Sequence, residues 1–113
     1  MITHQMKLAT ETFEKISTGT KIIESRLYDD KRRKINVGDK IEFTCADDAS
    51  KKISVNVKAL YRYSSFEEMF SDFSPEYFGE RSKDLLLEKI RNFYSSDEES
   101  MYGVIGIKIS LVI

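Results

Sequence analysis

Residues 53–63, Ile53-Ser54-Val55-Asn56-Val57-Lys58-Ala59-Leu60-Tyr61-Arg62-Tyr63, set Ile53, Val55, Val57, Ala59, Tyr61 and Tyr63 at every second position, against Ser54, Asn56, Lys58 and Arg62. Side chains of a β-strand point alternately to its two faces, so this stretch predicts a long strand with one face in a core and the other in water. A second alternation closes the chain. In Gly103 to Ile113, Ile105, Ile107, Ile109 and Leu111 alternate with Gly106, Lys108 and Ser110, which predicts another strand. Gly103-Val104-Ile105-Gly106 lies inside that pattern with no basic residue between its glycines, so it reads as strand and not as a backbone-clamping G-x-x-G loop.

Working outward, Met6 to Leu8, Lys21 to Leu27 and Ile41 to Cys45 read as shorter strands, the last entered through a tight turn at Val37-Gly38-Asp39. Thr10 is placed to cap a helix through Phe13 and Ile16 that Gly19 ends. Ser65 and Glu68 form a capping-box pattern ahead of Phe66, Met69, Phe70 and Phe73, and Ser82 heads a last helix whose Leu86, Ile90, Phe93 and Tyr94 lie on one stripe. Asp29 to Lys34 and Asp47 to Ser50 are polar connectors, Pro75 to Gly79 an irregular link, and Ser95 to Ser100 an acidic loop. Five strands and three helices without regular β-α-β alternation predict an α+β fold, a small mixed sheet or partly closed barrel.

The chain has 113 residues, 41% of them hydrophobic and 33% charged, with a single proline, which suits one domain over residues 1–113. Thirteen aromatic rings and the aliphatic residues suffice for a core without disulfides. Cys45 has no partner thiol and His4 is the only histidine, so no zinc set exists and neither metal nor cofactor is expected. A lone thiol on an alternating strand reads as buried and inert. No run approaches 18 apolar residues and the first residues lack a signal-peptide pattern, so the expected compartment is the cytoplasm, with no membrane partner. The net charge of -1 argues against a simple polycation, yet residues 1–63 carry +4 and residues 64–113 carry -5.

P-loop, H-E-x-x-H, G-x-S-x-G and Gly-rich dinucleotide signatures are missing, which removes the corresponding hydrolytic and redox chemistries. The informative stretch is Gly19-Thr20-Lys21-Ile22-Ile23-Glu24-Ser25-Arg26. Glu24 and Arg26 point to one side of a strand, while strict alternation sends Lys21 to the other unless its place at the strand's start frees it. The trio reads either as a site for a phosphate or a base edge, or as an ion pair on a half-exposed strand. Lys31-Arg32-Arg33-Lys34 reads as a phosphate contact or as a solvated charge run. Tyr28, Tyr61 and Tyr63 can stack bases or pack in the core, and Glu76 and Glu80 are loop carboxylates that can accept a proton or simply face water.

As an ordered set the residues resemble the ASCH domain family of PUA-like domains. The resemblance rests on His4-x-Met6-x-Leu8, Phe13-x-x-Ile16-x-x-Gly19-x-Lys21-x-x-Glu24-x-Arg26-Leu27, Asp30-Lys31-Arg32, Ile35, Gly38-Asp39-x-Ile41-x-Phe43, Tyr63-x-x-Phe66-Glu67-Glu68 and Tyr102-Gly103-Val104. It implies a PUA-like pseudo-β-barrel of about five to six strands with about three flanking helices, and a cleft lined at Gly19, Lys21, Glu24 and Arg26. It implies RNA or a modified nucleoside as partner, with help from Tyr28, Lys31, Arg32 and Arg33. Short bacterial relatives are similar to amidohydrolases that deacylate N4-acetylcytidine with a lysine, a threonine and a glutamate. Lys21 matches the lysine, Glu24 stands at the threonine position, and Glu80 or Glu76 matches the glutamate. Other relatives have been considered ribonucleases, which would draw on Lys21, Arg26 and a tyrosine.

Overall fold

The computed structural model describes residues 1–112, with strands β1 (Thr3–Leu8), β2 (Ile23–Leu27), β3 (Lys40–Cys45), β4 (Asp48–Tyr63) and β5 (Val104–Leu111). Ile113, the end of the expected last strand, lies outside the described residues. Helices α1 (Thr10–Ser17), α2 (Phe66–Asp72), α3 (Lys83–Ile90) and α4 (Ser96–Tyr102) join 3-10 turns at Arg32–Lys34 and Pro75–Phe78. The strands form one sheet in the order β1-β3-β4-β5-β2, with β1 and β3 parallel and every other pair antiparallel. Among the described residues, no helix is long and apolar enough to cross a membrane.

Each face of the sheet is covered. Met6, Leu8, Ile41, Phe43, Val55, Val57, Ile105, Ile107 and Ile109 pack with Phe13 and Ile16 of α1 on one side. Ile23, Leu27 and Val104 pack with Phe66, Met69 and Phe70 of α2, Phe78 and Leu86 on the other. The expected single wet face of β4 is therefore not what forms. Register breaks between Val57 and Ala59, and this extra residue shifts the phase of the strand by one. Leu60 joins Val57 in the first core, while Tyr61 and Tyr63 turn into the second. Gly106 makes that second core possible, because a Cβ there would lie 2.9 Å from Met69 Sδ and 3.2 Å from Ile23 Cγ2.

The α+β half-barrel agrees with the expected class and strand number, but the described residues form four α-helices instead of about three. The expected acidic loop is α4, started by a capping box between Ser95 and Glu98. Its Glu99 is buried, accepts from Phe66 N at 2.8 Å and meets Arg91 Nη2 at 2.5 Å, so it ties α4 to the start of α2. The expected stripe of α3 is also shortened: the helix ends at Ile90, and Phe93 stands 61% exposed. The residue before α1 is Ala9, and Thr10 uses its hydroxyl on Asp47 instead of capping the helix.

Strands β1 and β2 are the two edges of the sheet and share no ladder. Ile2 and Leu8 direct their carbonyls at β3, which leaves those of Gln5 and Lys7 on the open side. Arg26 Nη2 of β2 donates to Lys7 O at 2.8 Å and Lys31 Nζ to Gln5 O at 2.6 Å. Side chains thus close the seam of the half-barrel, and the candidate site opens beside them.

Candidate functional site

A cleft of about 290 Å³ lies between the β1–α1 corner, β2 and α3. Lys21, Glu24 and Arg26 form one wall, Lys15, Glu80 and Lys89 another, Phe70, Phe78, Leu86 and Ile90 add apolar surface, and Phe93 and Tyr94 complete the lining. Gly19, with φ +78°, turns the chain out of α1, and Lys21 N then bonds Lys15 O at 3.0 Å. Lys21 therefore lies outside the pleat and reaches the same side as Glu24, the exception that strict alternation required.

Glu24 pairs across the sheet with Ile107, and Ile107 with Leu60, so its carboxylate stands on the face of the first apolar core and is 4% exposed. Such a charge needs partners. Lys21 Nζ lies 2.9 Å from Oε1, Arg26 Nε 3.0 Å from Oε2, and Ser25 N donates to Oε1 at 3.1 Å. Burial pushes the carboxyl pKa up, but the Lys21 and Arg26 charges outweigh it and hold the group at about 2. Burial also acts to lower the Arg26 pKa, and the Glu24 charge overrides it. Tyr94, largely buried beside Arg26, has its hydroxyl pKa raised by that burial.

Facing the trio is a second charge group. Glu80 Oε1 accepts from Lys15 Nζ at 2.7 Å and from Lys89 Nζ at 2.6 Å, and Glu11 meets the same two ammoniums at 3.1 and 2.9 Å. Burial opposes ionisation of Glu80, yet the two lysines hold its pKa below the ordinary carboxylate range. Lys15 Nζ also donates to Gly79 O at 2.8 Å. Gly79 has φ +85°, and a Cβ there would sit 3.1 Å from Lys21 Cβ and 3.2 Å from Lys15 Cδ. Both lysine stems therefore run against this glycine.

Of the residues singled out in the sequence, Lys21, Glu24, Arg26 and Glu80 are brought together in the cleft. Gly19, Tyr28, Lys31, Arg32 and Arg33 do not line it, and Glu76 is exposed elsewhere. Arg32 pairs with Asp29 at 3.1 Å, and Tyr28 carries the guanidiniums of Arg33 and Arg62 at 4.3 and 4.6 Å from its ring centre. Tyr61 packs on Phe73, and Tyr63 donates to Asp72, so neither is a free stacking surface. Cys45 is buried. Among the described residues, no group of three His, Cys, Asp or Glu side chains is gathered for a metal ion. Sequence reasoning missed Lys15, Gly79, Lys89 and Phe93; the fold, and no local spacing, joins them.

The ASCH domain family model matches residues 6–113. The chain belongs to the ASCH domain family. ASCH domains are generally linked to RNA binding. This ASCH domain is similar to the crystal structure of hypothetical protein PH0355, at 38% identity and TM-score 0.86 over 99% of this chain and 100% of that one. It is equally identical, at 38%, to protein PF0455 from Pyrococcus furiosus, with TM-score 0.77 over 97% of each chain. The ASCH domain from Lactobacillus crispatus shares 14% identity over 96% of this chain and 79% of that one, at TM-score 0.69, a likeness of fold. No curated protein matches the sequence.

Proposed function

We propose that the cleft binds a nucleotide of single-stranded RNA, with its phosphate among the lysines and Arg26 and its base against Phe93. The observation that carries this reading is the lining itself: five cationic side chains, Lys7, Lys15, Lys21, Arg26 and Lys89, face three carboxylates beside an exposed aromatic ring. The local excess of two positive charges contrasts with a chain of net charge -1. An apolar surface next to convergent cations suits an unstacked base and its phosphate.

The carboxylates fit the part of anchors better than that of proton acceptors. A general base works best with a pKa near the working pH, whereas Glu24 is held at about 2 and Glu80 below the ordinary range. Each instead has both a desolvated position and two cations to orient. This supports binding over deacylation of a nucleoside or cleavage of a phosphodiester.

Anisotropy titration of labelled single-stranded RNA at low and physiological salt tests the reading. Wild type is expected to bind in a salt-sensitive manner and Lys21→Ala to bind about tenfold more weakly, about 1.4 kcal/mol. Glu24 keeps Arg26 as partner in that variant, and a thermal melt checks that the fold is retained. No binding by the wild type at low salt, or equal binding by the variant, overturns it.

A further inference from the structure

Beyond the cleft the cations change character. Of the five cleft cations, Lys15, Lys21, Arg26 and Lys89 are each held by a carboxylate, whereas among the described residues none lies within ion-pair distance of Lys7. Among the described residues, no carboxylate lies within ion-pair distance of Lys31, Arg33 or Arg62, and all three are exposed. Arg33 and Arg62 are instead held by one aromatic ring, with Cζ 4.3 and 4.6 Å from the centre of Tyr28. Stacking fixes a guanidinium without using up its charge and leaves its N–H edge for a phosphate.

The register makes this patch continuous with the cleft. Arg26 pairs with Ile105, and Ile105 with Arg62, so the two arginines stand in one cross-strand row on one face, about 10 Å apart by strand spacing. Tyr28 follows β2 on that same face, two residues beyond Arg26. Lys31 bridges the seam at Gln5 O, one alternation along β1 from Lys7, which lines the cleft. Burial and the neighbouring Arg32 and Arg26 charges lower the Lys31 pKa, and the opposing pull of Asp29, which is paired with Arg32, does not outweigh them.

We infer that the bound strand continues beyond the cleft: the RNA backbone leaves it across the β1–β2 seam past Lys31, and its next phosphates lie on Arg33 and Arg62. The inference rests on the cleft reading and divides the labour within it. Paired cations in the cleft position one nucleotide, and unpaired cations on the track supply the counterion release that makes binding salt-dependent.

The test compares wild type, Lys21→Ala, Arg33→Gln, Arg62→Gln and the Arg33→Gln/Arg62→Gln pair on two probes, a labelled ten-nucleotide single-stranded RNA and cytidine monophosphate. Each single track variant is expected to make the log K against log[salt] slope shallower by about 0.7, and the pair by about 1.4, with RNA affinity at low salt down at least tenfold. Cytidine monophosphate, followed by NMR shifts of cleft amides, is expected to bind wild type and track variants alike. Thermal melts check the fold, and Arg33→Lys/Arg62→Lys is expected to keep the slope. Unchanged slopes in the glutamine variants, or equal loss of the mononucleotide and the RNA, overturn the track. Failure of the cleft reading shows separately, as Lys21→Ala binding both probes like wild type.

Discussion

Arg26 Nη2 donates to the Lys7 carbonyl at 2.8 Å across a gap between two edge strands that share no ladder. The same guanidinium gives its Nε to Glu24, so one side chain both closes the half-barrel and pairs its buried carboxylate. Seam and site are one structure. An edge strand with free carbonyls is a liability for aggregation, and here it is covered by Arg26, which also faces the cleft, and by Lys31 outside it.

Replacing Arg26 by Met is therefore expected to lower stability by about 3 kcal/mol, because a buried carboxylate loses one of two cationic partners and the seam loses its bridge. Arg26→Lys keeps the charge but not the two-directional bonding, and should fall between. Urea unfolding measures both. A loss below about 1 kcal/mol in Arg26→Met would show that the seam is held by packing alone.

Stability should also depend on acid through Glu24. Its folded pKa, about 2, lies below the ordinary value of 4.5. The contribution is therefore complete above about pH 4.5 and is lost as pH falls towards 2, amounting to about 3 kcal/mol. Glu24→Gln, less stable at neutral pH because Lys21 and Arg26 lose their partner, should show a flatter profile in that window. Urea titrations at several pH values decide it, and parallel profiles for the two proteins would remove Glu24 as the source of acid sensitivity.

Strict alternation marked the strands because one face of β3 and the outer parts of β4 and β5 lie on apolar layers. It did not reveal the break at Lys58, since Ala59 and Leu60 are both apolar and either could continue the pattern. Ser95 and Glu98 carried a helix signature that the acidic composition of the segment masked. Lys21, Glu24 and Arg26 were legible together because they fall within six residues, on and just before one short strand. Glu80 was legible only as a loop carboxylate, since the ammoniums that clamp it come from α1 and α3. Tyr28 and the basic connector were noticed as stacking and phosphate groups. That Tyr28 serves the arginines depends on Arg62, which only the pairing of β4 with β5 brings into place.

Gly79→Ala separates backbone strain from site geometry. A left-handed backbone at φ +85° costs an alanine about 1–2 kcal/mol, and the added Cβ would press on the Lys21 and Lys15 stems. Gly38 has φ +95° with nothing within 4 Å of its Cβ position, so Gly38→Ala carries strain without the contact. Both variants should melt lower than wild type, but only Gly79→Ala should weaken RNA binding. Equal binding by the two would mean that the lysine stems tolerate displacement.

Phe93 tests where the base goes. At 61% exposure its ring contributes little to the core, so Phe93→Ala should leave the melting temperature close to that of wild type. If a base stacks on it, RNA affinity should fall by about 1–3 kcal/mol, while Phe93→Tyr keeps the affinity. The chain contains no tryptophan, so Phe93→Trp introduces a single fluorophore at the cleft. Its emission should be quenched on adding RNA, and the quenching should disappear when Lys21→Ala is combined with it. A fluorophore indifferent to saturating RNA would place the base away from position 93 and would leave the ring there as surface only.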